Sequence, residues 1–229
     1  MQSLEAAVES GNPGIVPIAQ AGLGEFLMQA GEIGRARQLL EAAVMSGNPE
    51  AVLIGQVALG ALLSQMGEIG RARPLLEAAI KSCNPLVLPI VQANLGELLA
   101  EAGETRQAQQ LLEDAINSGN LQVMPMAQVC LGDLLMRAGE AGRSRQLLEA
   151  AAESGHPHFG PIAQLLLSVL LARAGETARA RQLLEASVKS GNHDIAPVAQ
   201  ASLGMLLARA GEQERARQLL EVAVKSGGT

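Results

Sequence analysis

The stretch Leu40 to Leu75, LEAAVMSGNPEAVLIGQVALGALLSQMGEIGRARPL, is the unit from which the chain is built. Its Leu40 returns as Leu76, Leu112, Leu148 and Leu184, a step of 36 residues, and each return opens the same phrase: LEAAI, LEDAI, LEAAA, LEASV. The register extends back to Leu4 and forward to Leu220, so six full units run from Leu4 to Leu219 in a chain of 229 residues. A fixed period of this size signals a repeat array, in which each unit buries its apolar face against its neighbours. Residues 1–229 are therefore read as one array: half a repeat at 1–10, the six units, and a final helix at 212–226. The chain starts inside a repeat, as a fragment of a longer array or a truncated start would, and its first residues lack the polar sequence of a terminal cap.

Composition narrows the class. Hydrophobic residues make up 48% of the chain but aromatics only 1%, as Phe26 and Phe159, so the core is Leu, Ala, Val and Ile. Abundant Leu, Ala, Glu, Arg and Gln favour helix throughout. A net charge of −6, an isoelectric point near 5.2 and the lack of stacking aromatics argue against nucleic acid as a partner. Mean hydropathy is positive at +0.19, yet Gln, Glu and Gly interrupt every apolar run before it could span a bilayer, and no leader pattern opens the chain. A soluble, cytoplasmic protein with no membrane contact is expected. Cys83 and Cys130 form no spacing motif, so neither a disulfide framework nor a zinc site is expected.

Each unit reads as two helices. Helix A covers roughly Pro17 to Ala30 and ends at Gly31, whose counterparts are Gly67, Gly103, Gly139, Gly175 and Gly211. Helix B runs about Glu32 to Ser46, with Ala36, Leu39, Leu40 and Ala43 on one face and Arg35 and Arg37 largely toward solvent. The acidic residue that opens it (Glu32, Glu68, Glu104, Glu140, Glu176, Glu212) suits the helix dipole and is read as structural. The return connection, Ser46-Gly47-Asn48-Pro49, combines an N-cap residue with a proline at the first helical position. Four residues beyond the position of Pro49 a second proline position is filled by Pro17, Pro89, Pro125, Pro161 and Pro197 but by Leu53 in the second unit; a short turn, then regular helix from near the second proline, is predicted.

With Leu23-Gly24 in helix A, Ala36 early in helix B and Ala43 beyond it, the units resemble the tetratricopeptide repeat along essentially the whole chain. They differ in a period about two residues longer than the usual 34 and in Gln20 and Leu27 standing at aromatic positions. Sel1-like repeats share the Leu-Gly element, but their A-to-B connection tends to be longer than the Ala-Gly-Glu here, which ranks them second. The resemblance implies an all-α, right-handed superhelical solenoid of antiparallel helix pairs, with helix A lining a concave surface, acting as a non-catalytic scaffold for protein interaction. Two exceptions probe the register. Ser168 replaces the Leu-Gly glycine, and Cys83 replaces the loop glycine (Gly47, Gly119, Gly155, Gly191), so the third loop is either strained or a different turn.

Gln20, Gln56, Gln92, Gln128, Gln164 and Gln200 recur at one point of helix A and are read as hydrogen-bonders to nearby backbone rather than as a ligand-reading track. Positions that vary on the expected concave face are better candidates. One series runs Gln29, Gln65, Glu101, Arg137, Arg173, Arg209; one turn earlier run Glu25, Ala61, Glu97, Asp133, Val169, Met205. With apolar residues such as Met136 and Leu165 between them, these describe a groove graded from acidic to basic that would orient an extended protein or peptide segment, the arginines taking carboxylates. The plainer reading makes Arg137, Arg173 and Arg209 solvated cations favoured at helix C-termini. Apolar faces at Leu4, Val8, Leu219 and Val222 suggest homo-oligomerisation as an alternative, and a small-ligand or signalling-peptide sensor is a third. His156, His158 and His193 lie in inter-repeat loops without a carboxylate or thiol at ligand spacing, and no nucleophile motif is present, so no metal, cofactor or catalysis is expected.

Overall fold

The computed structural model describes residues 2–189 and 195–226. These residues are helical, with no strand among them. A short α1 (Gln2–Glu9) precedes six helix pairs: α2 (Val16–Gln29) with α3 (Ile33–Met45), α4 (Pro49–Gln65) with α5 (Ile69–Ser82), and α6 (Leu88–Glu101) with α7 (Thr105–Asn117). Then follow α8 (Met124–Arg137) with α9 (Ala141–Glu153), α10 (Phe159–Arg173) with α11 (Thr177–Lys189), and α12 (Ala196–Arg209) with α13 (Gln213–Ser226). The chain divides into two compact units, Met1–Ser118 and Gly119–Thr229. In each, every helix packs on the next in sequence, and successive A helices also pack on one another: α2 on α4 and α4 on α6 in the first, α8 on α10 and α10 on α12 in the second. This is an all-α solenoid of helix hairpins.

Each hairpin is closed by a Schellman turn. After α2, Gly31 takes φ 79°, its N–H donates to the Met28 carbonyl, and the Glu32 N–H donates to the Leu27 carbonyl. The same pair of bonds recurs at Gly67, Gly103, Gly139, Gly175 and Gly211. The third inter-repeat loop, lacking its glycine, is a different turn rather than a strained one: Cys83 is extended at φ −77°, ψ 152°. Gly191 lies outside the described residues.

The second proline decides where helix A starts. With Leu53 in its place, α4 begins at Pro49 and reaches 17 residues, its first turn capped by the Asn48 side chain, which accepts from the Glu50 and Ala51 N–H groups. Where Pro17, Pro89, Pro125 or Pro197 stands, the helix has 14 residues and starts just before that proline, because a ring there would meet the carbonyl four residues back. The asparagine then holds a separate turn, as Asn12 Oδ1 does by accepting from the Gly14 N–H.

Inside the hairpin, glycine meets leucine. A Cβ on Gly96 would lie 2.8 Å from Leu112 Cγ, and one on Gly24, Gly60, Gly132 or Gly204 would strike Leu40, Leu76, Leu148 or Leu220 in the same way. Leu40, Leu76, Leu112 and Leu148 are fully buried as a result. Ser168, the one exception, keeps its buried hydroxyl satisfied by donating to the Leu165 carbonyl at 2.6 Å. Leu4 and Val8 are not an open face: both pack, half-buried, against the Leu23, Leu27 and Ala36 cluster.

Between hairpins an ion-pair ladder runs along the B helices. Arg37 donates to Glu41 in its own helix at 3.1 Å and to Glu68 of the next repeat at 3.0 Å. Arg73 bridges Glu77 and Glu104, Arg145 bridges Glu149 and Glu176, and Arg181 bridges Glu185 and Glu212. Arg37 is thus not a solvated arginine; its side chain is 28% exposed and ties two repeats together. Four of the acidic helix-B openers, Glu68, Glu104, Glu176 and Glu212, do more than face a dipole, since they receive these arginines, and Glu32 makes no side-chain cap. In the third repeat the rung is Gln109, whose amide donates to Glu113.

Three outcomes follow from this packing. Gly96→Ala presses a methyl into Leu112 and is expected to destabilise by about 1 to 3 kcal/mol, read as a lower urea midpoint. Pro74 sits exposed inside α5 where five other units carry Gln; Pro74→Gln restores a helical N–H and is expected to stabilise by up to about 3 kcal/mol. Glu68, hydrogen-bonded first by Arg71 and then faced by Arg37, is held below its ordinary pKa of 4.5. A depressed carboxylate contributes stability above its unfolded pKa and loses it as pH falls through the folded one. Glu68→Gln should therefore lower the melting temperature at neutral pH, with the two proteins converging in strong acid.

Candidate functional site on the A helices

The variable positions lie where the repeat places them, on successive A helices. In the first unit, Glu25 on α2 is exposed and Glu97 on α6 half-buried, while Glu101 is the exposed last residue of α6. Desolvation by the surrounding protein lifts the Glu25 carboxyl above its ordinary pKa, so its negative charge is held at some cost. In the second unit, Asp133, Met136 and Arg137 belong to α8, Leu165, Val169 and Arg173 to α10, and Met205 and Arg209 to α12.

The structure divides the three arginines. Arg137 is neutralised by Asp133, one turn back on the same helix, through a short Nη2 to Oδ2 contact. At the position of Asp133 the next two repeats carry Val169 and Met205, so Arg173 and Arg209 have no such carboxylate and form no ion pair among the described residues. Both are the last residues of their helices, where exposed carbonyls favour a cation.

Val169, Arg173, Met205 and Arg209 are brought together in one cleft of about 210 Å³ between α10 and α12. Its remaining wall is supplied by Ala172, Ser202 and Leu206, and Met205 lies 53% exposed at its edge. Leu165 is drawn away, packing with the Leu184, Ala199 and Leu203 cluster beneath. Met136 meets Arg173 in a second hollow, of about 440 Å³, at the turn end of α8 and α10. Two guanidiniums that form no ion pair among the described residues, set beside exposed aliphatic and thioether surface, can take carboxylates while covering an apolar side chain.

Two of the recurrent glutamines depart from the hydrogen-bonding expected of them. Oε1 of Gln56 and of Gln200 is buried with no hydrogen-bond partner among the described residues. Gln164 Oε1 accepts at 3.5 Å from Ser187, a hydroxyl that the other repeats lack because they carry alanine there. His156 stands where other repeats carry Asn and does its work: Nδ1 accepts from the N–H groups of His158 and Phe159 at 3.2 Å. His193 lies outside the described residues. Among those described, no three His, Cys, Asp or Glu residues are grouped to hold a metal, and no helix is long and apolar enough to cross a membrane.

Sequence reasoning missed the bridging role of Arg37, Arg73, Arg145 and Arg181. The signal was present as an acidic residue four and thirty-one positions beyond each of them. It also missed the hollow beside Met136, which forms between the fourth and fifth repeats.

Comparison with known proteins agrees with this architecture. A sequence profile of the tetratricopeptide repeat matches residues 93–157, 131–195 and 165–229, and a second profile of that repeat matches residues 17–42. A search of curated proteins finds no match. Among solved structures, a chain of the APC/C hetero-tetramer Cut9-Hcn1 is similar with a TM-score of 0.86 at 10% identity over 99% of this chain, which spans 42% of that one. Pseudomonas aeruginosa pilF is similar with a TM-score of 0.71 at 18% identity, covering 93% of both chains. YrrB, described as a TPR protein with an unusual peptide-binding site, gives 0.53 at 18% identity over 82% of this chain and 91% of its own. At these identities the likeness is one of fold. The repeat profiles span most of the sequence, and the chain belongs to the tetratricopeptide repeat family, whose members bind protein or peptide partners and generally serve as non-catalytic interaction scaffolds.

Proposed function

We propose that this scaffold binds an extended segment of a partner protein along its A helices, with Arg173 and Arg209 taking carboxylates of that segment. The observation that carries the reading is the contrast among the arginines: those of the B-helix ladder and Arg137 are neutralised within the chain, whereas Arg173 and Arg209 share a cleft with no carboxylate of their own. A charge left uncompensated beside exposed apolar surface contributes little to folding and is available to a ligand. The apolar residues Val169 and Met205 suit an aliphatic stretch between two acidic groups. Acidic positions such as Glu25, Glu97 and Glu101 on the first unit's A helices favour basic residues elsewhere on the same partner.

A second reading, self-association, rests on α13, where Val224 is 77% exposed in a hollow of about 510 Å³ floored by Ala216 and Leu220, and Val222 is 46% exposed. A concentration-independent monomer in light scattering removes it. For the first reading, the full chain is panned against a random peptide library and the selected peptides are measured by fluorescence anisotropy. Acidic peptides are expected, and the double variant Arg173→Glu, Arg209→Glu should weaken them about 10- to 100-fold, from lost charge-assisted hydrogen bonds, with an unchanged melting temperature. Peptides indifferent to the double charge reversal would count against it.

A further inference from the structure

The hollow at the turn end of α8 and α10 lies among small residues, of which Ala174 and Gly142 recur in other repeats while Ala141 stands where others carry Ile33 and Ile69. It holds about 440 Å³, with Ala141, Gly142 and Ala174 around its mouth and Met136 and Leu170 among its lining. One hundred and eight residues earlier, at three repeats' remove, the positions of Ala141 and Ala174 carry Ile33 and Met66. Ile33 is half-buried there and Met66 is 46% exposed, so side chains of this size are accommodated at these positions of the repeat.

Two arginines border the hollow. Arg145 is committed to Glu149 and Glu176. Arg173 is not paired, and it lines both this hollow and the cleft between α10 and α12. One uncompensated guanidinium therefore stands between an apolar hollow and the cleft proposed above as the binding surface.

We propose that the hollow is a specificity subsite: it takes an aliphatic side chain of the partner segment, from a residue next to the acidic residue that Arg173 binds. Charge sets this occupant. An acidic residue is drawn to Arg173, its neighbour in an extended segment then lies within reach of the hollow, and a floor of leucine and methionine excludes a second charge. The hollow is roomy enough for a Leu, Ile or Met side chain together with adjoining main chain. The inference rests on the carboxylate-binding reading of Arg173 and adds to it what must flank the acid.

The test uses the protein's own residues as plugs. Ala141→Ile and Ala174→Met copy Ile33 and Met66 into the equivalent positions, and the melting temperature of the double variant reports that it is folded. Peptides selected on the full chain are expected to pair an acidic residue with an adjacent aliphatic one. The plugged variant should bind them about 10- to 100-fold more weakly, the loss equivalent to one aliphatic side chain left unburied, and replacing that aliphatic residue with Ala in the peptide should abolish the difference between plugged and native protein. Peptides that respond to Arg173→Glu but bind the plugged variant as tightly as the native chain overturn the subsite while leaving the carboxylate reading in place. Peptides that ignore Arg173→Glu overturn both.

Discussion

The contact on which the structure rests is the one between a glycine of each helix A and a leucine of its helix B. With a Cβ absent at Gly24, Gly60, Gly96, Gly132 and Gly204, the leucine side chain settles directly on helix backbone at a distance no other residue would allow. The two helices of a hairpin thereby come close enough to bury Ala36, Ala43 and their counterparts without any aromatic residue. A family position that more often carries a large ring is here Gln20 or Leu27, and the core is closed by proximity rather than by bulk. Ser168 shows the tolerance of the arrangement: one hydroxyl is admitted because a carbonyl in its own helix accepts its proton.

Stacking one hairpin on the next calls on a different force. Apolar burial holds the A helices together, and along the B helices Arg37, Arg73, Arg145 and Arg181 each bind one carboxylate at home and one in the following repeat. Partly exposed pairs of this kind contribute modestly one at a time, but a shared carboxylate in a network fixes register between repeats as well as adding attraction. The ladder occupies Arg37, Arg73, Arg145 and Arg181 of helix B, whereas on helix A two arginines form no ion pair among the described residues. There the repeat varies, and the replacement of Asp133 by Val169 and Met205 in the following repeats releases Arg173 and Arg209 from internal pairing.

Function in such an array is written in departures from the repeat. Leu53 lengthens α4, Cys83 reshapes a loop, His156 takes over from asparagine at a helix start, and Ala141 borders a hollow at a position where two other repeats carry isoleucine. The first three are absorbed locally by backbone hydrogen bonds. The last leaves apolar space beside Arg173, and the proposed specificity subsite rests on that juxtaposition.

The sequence by itself determined the period, the helical class, the hairpin ends at Gly31 and its counterparts, and the positions facing outward on helix A, because each follows from local rules of spacing, capping and proline geometry. It also separated the acidic from the basic series on that face. Only the tertiary structure decided which charges were already spent: that Arg137 is paired and Arg173 is not, that Arg37 bridges repeats, and that Gln56 and Gln200 bury an oxygen without a partner. Those outcomes depend on distances between residues thirty or more positions apart, or on which of several nearby carboxylates a side chain reaches, and a one-dimensional pattern carries the candidates for such pairs but not the geometry that selects among them.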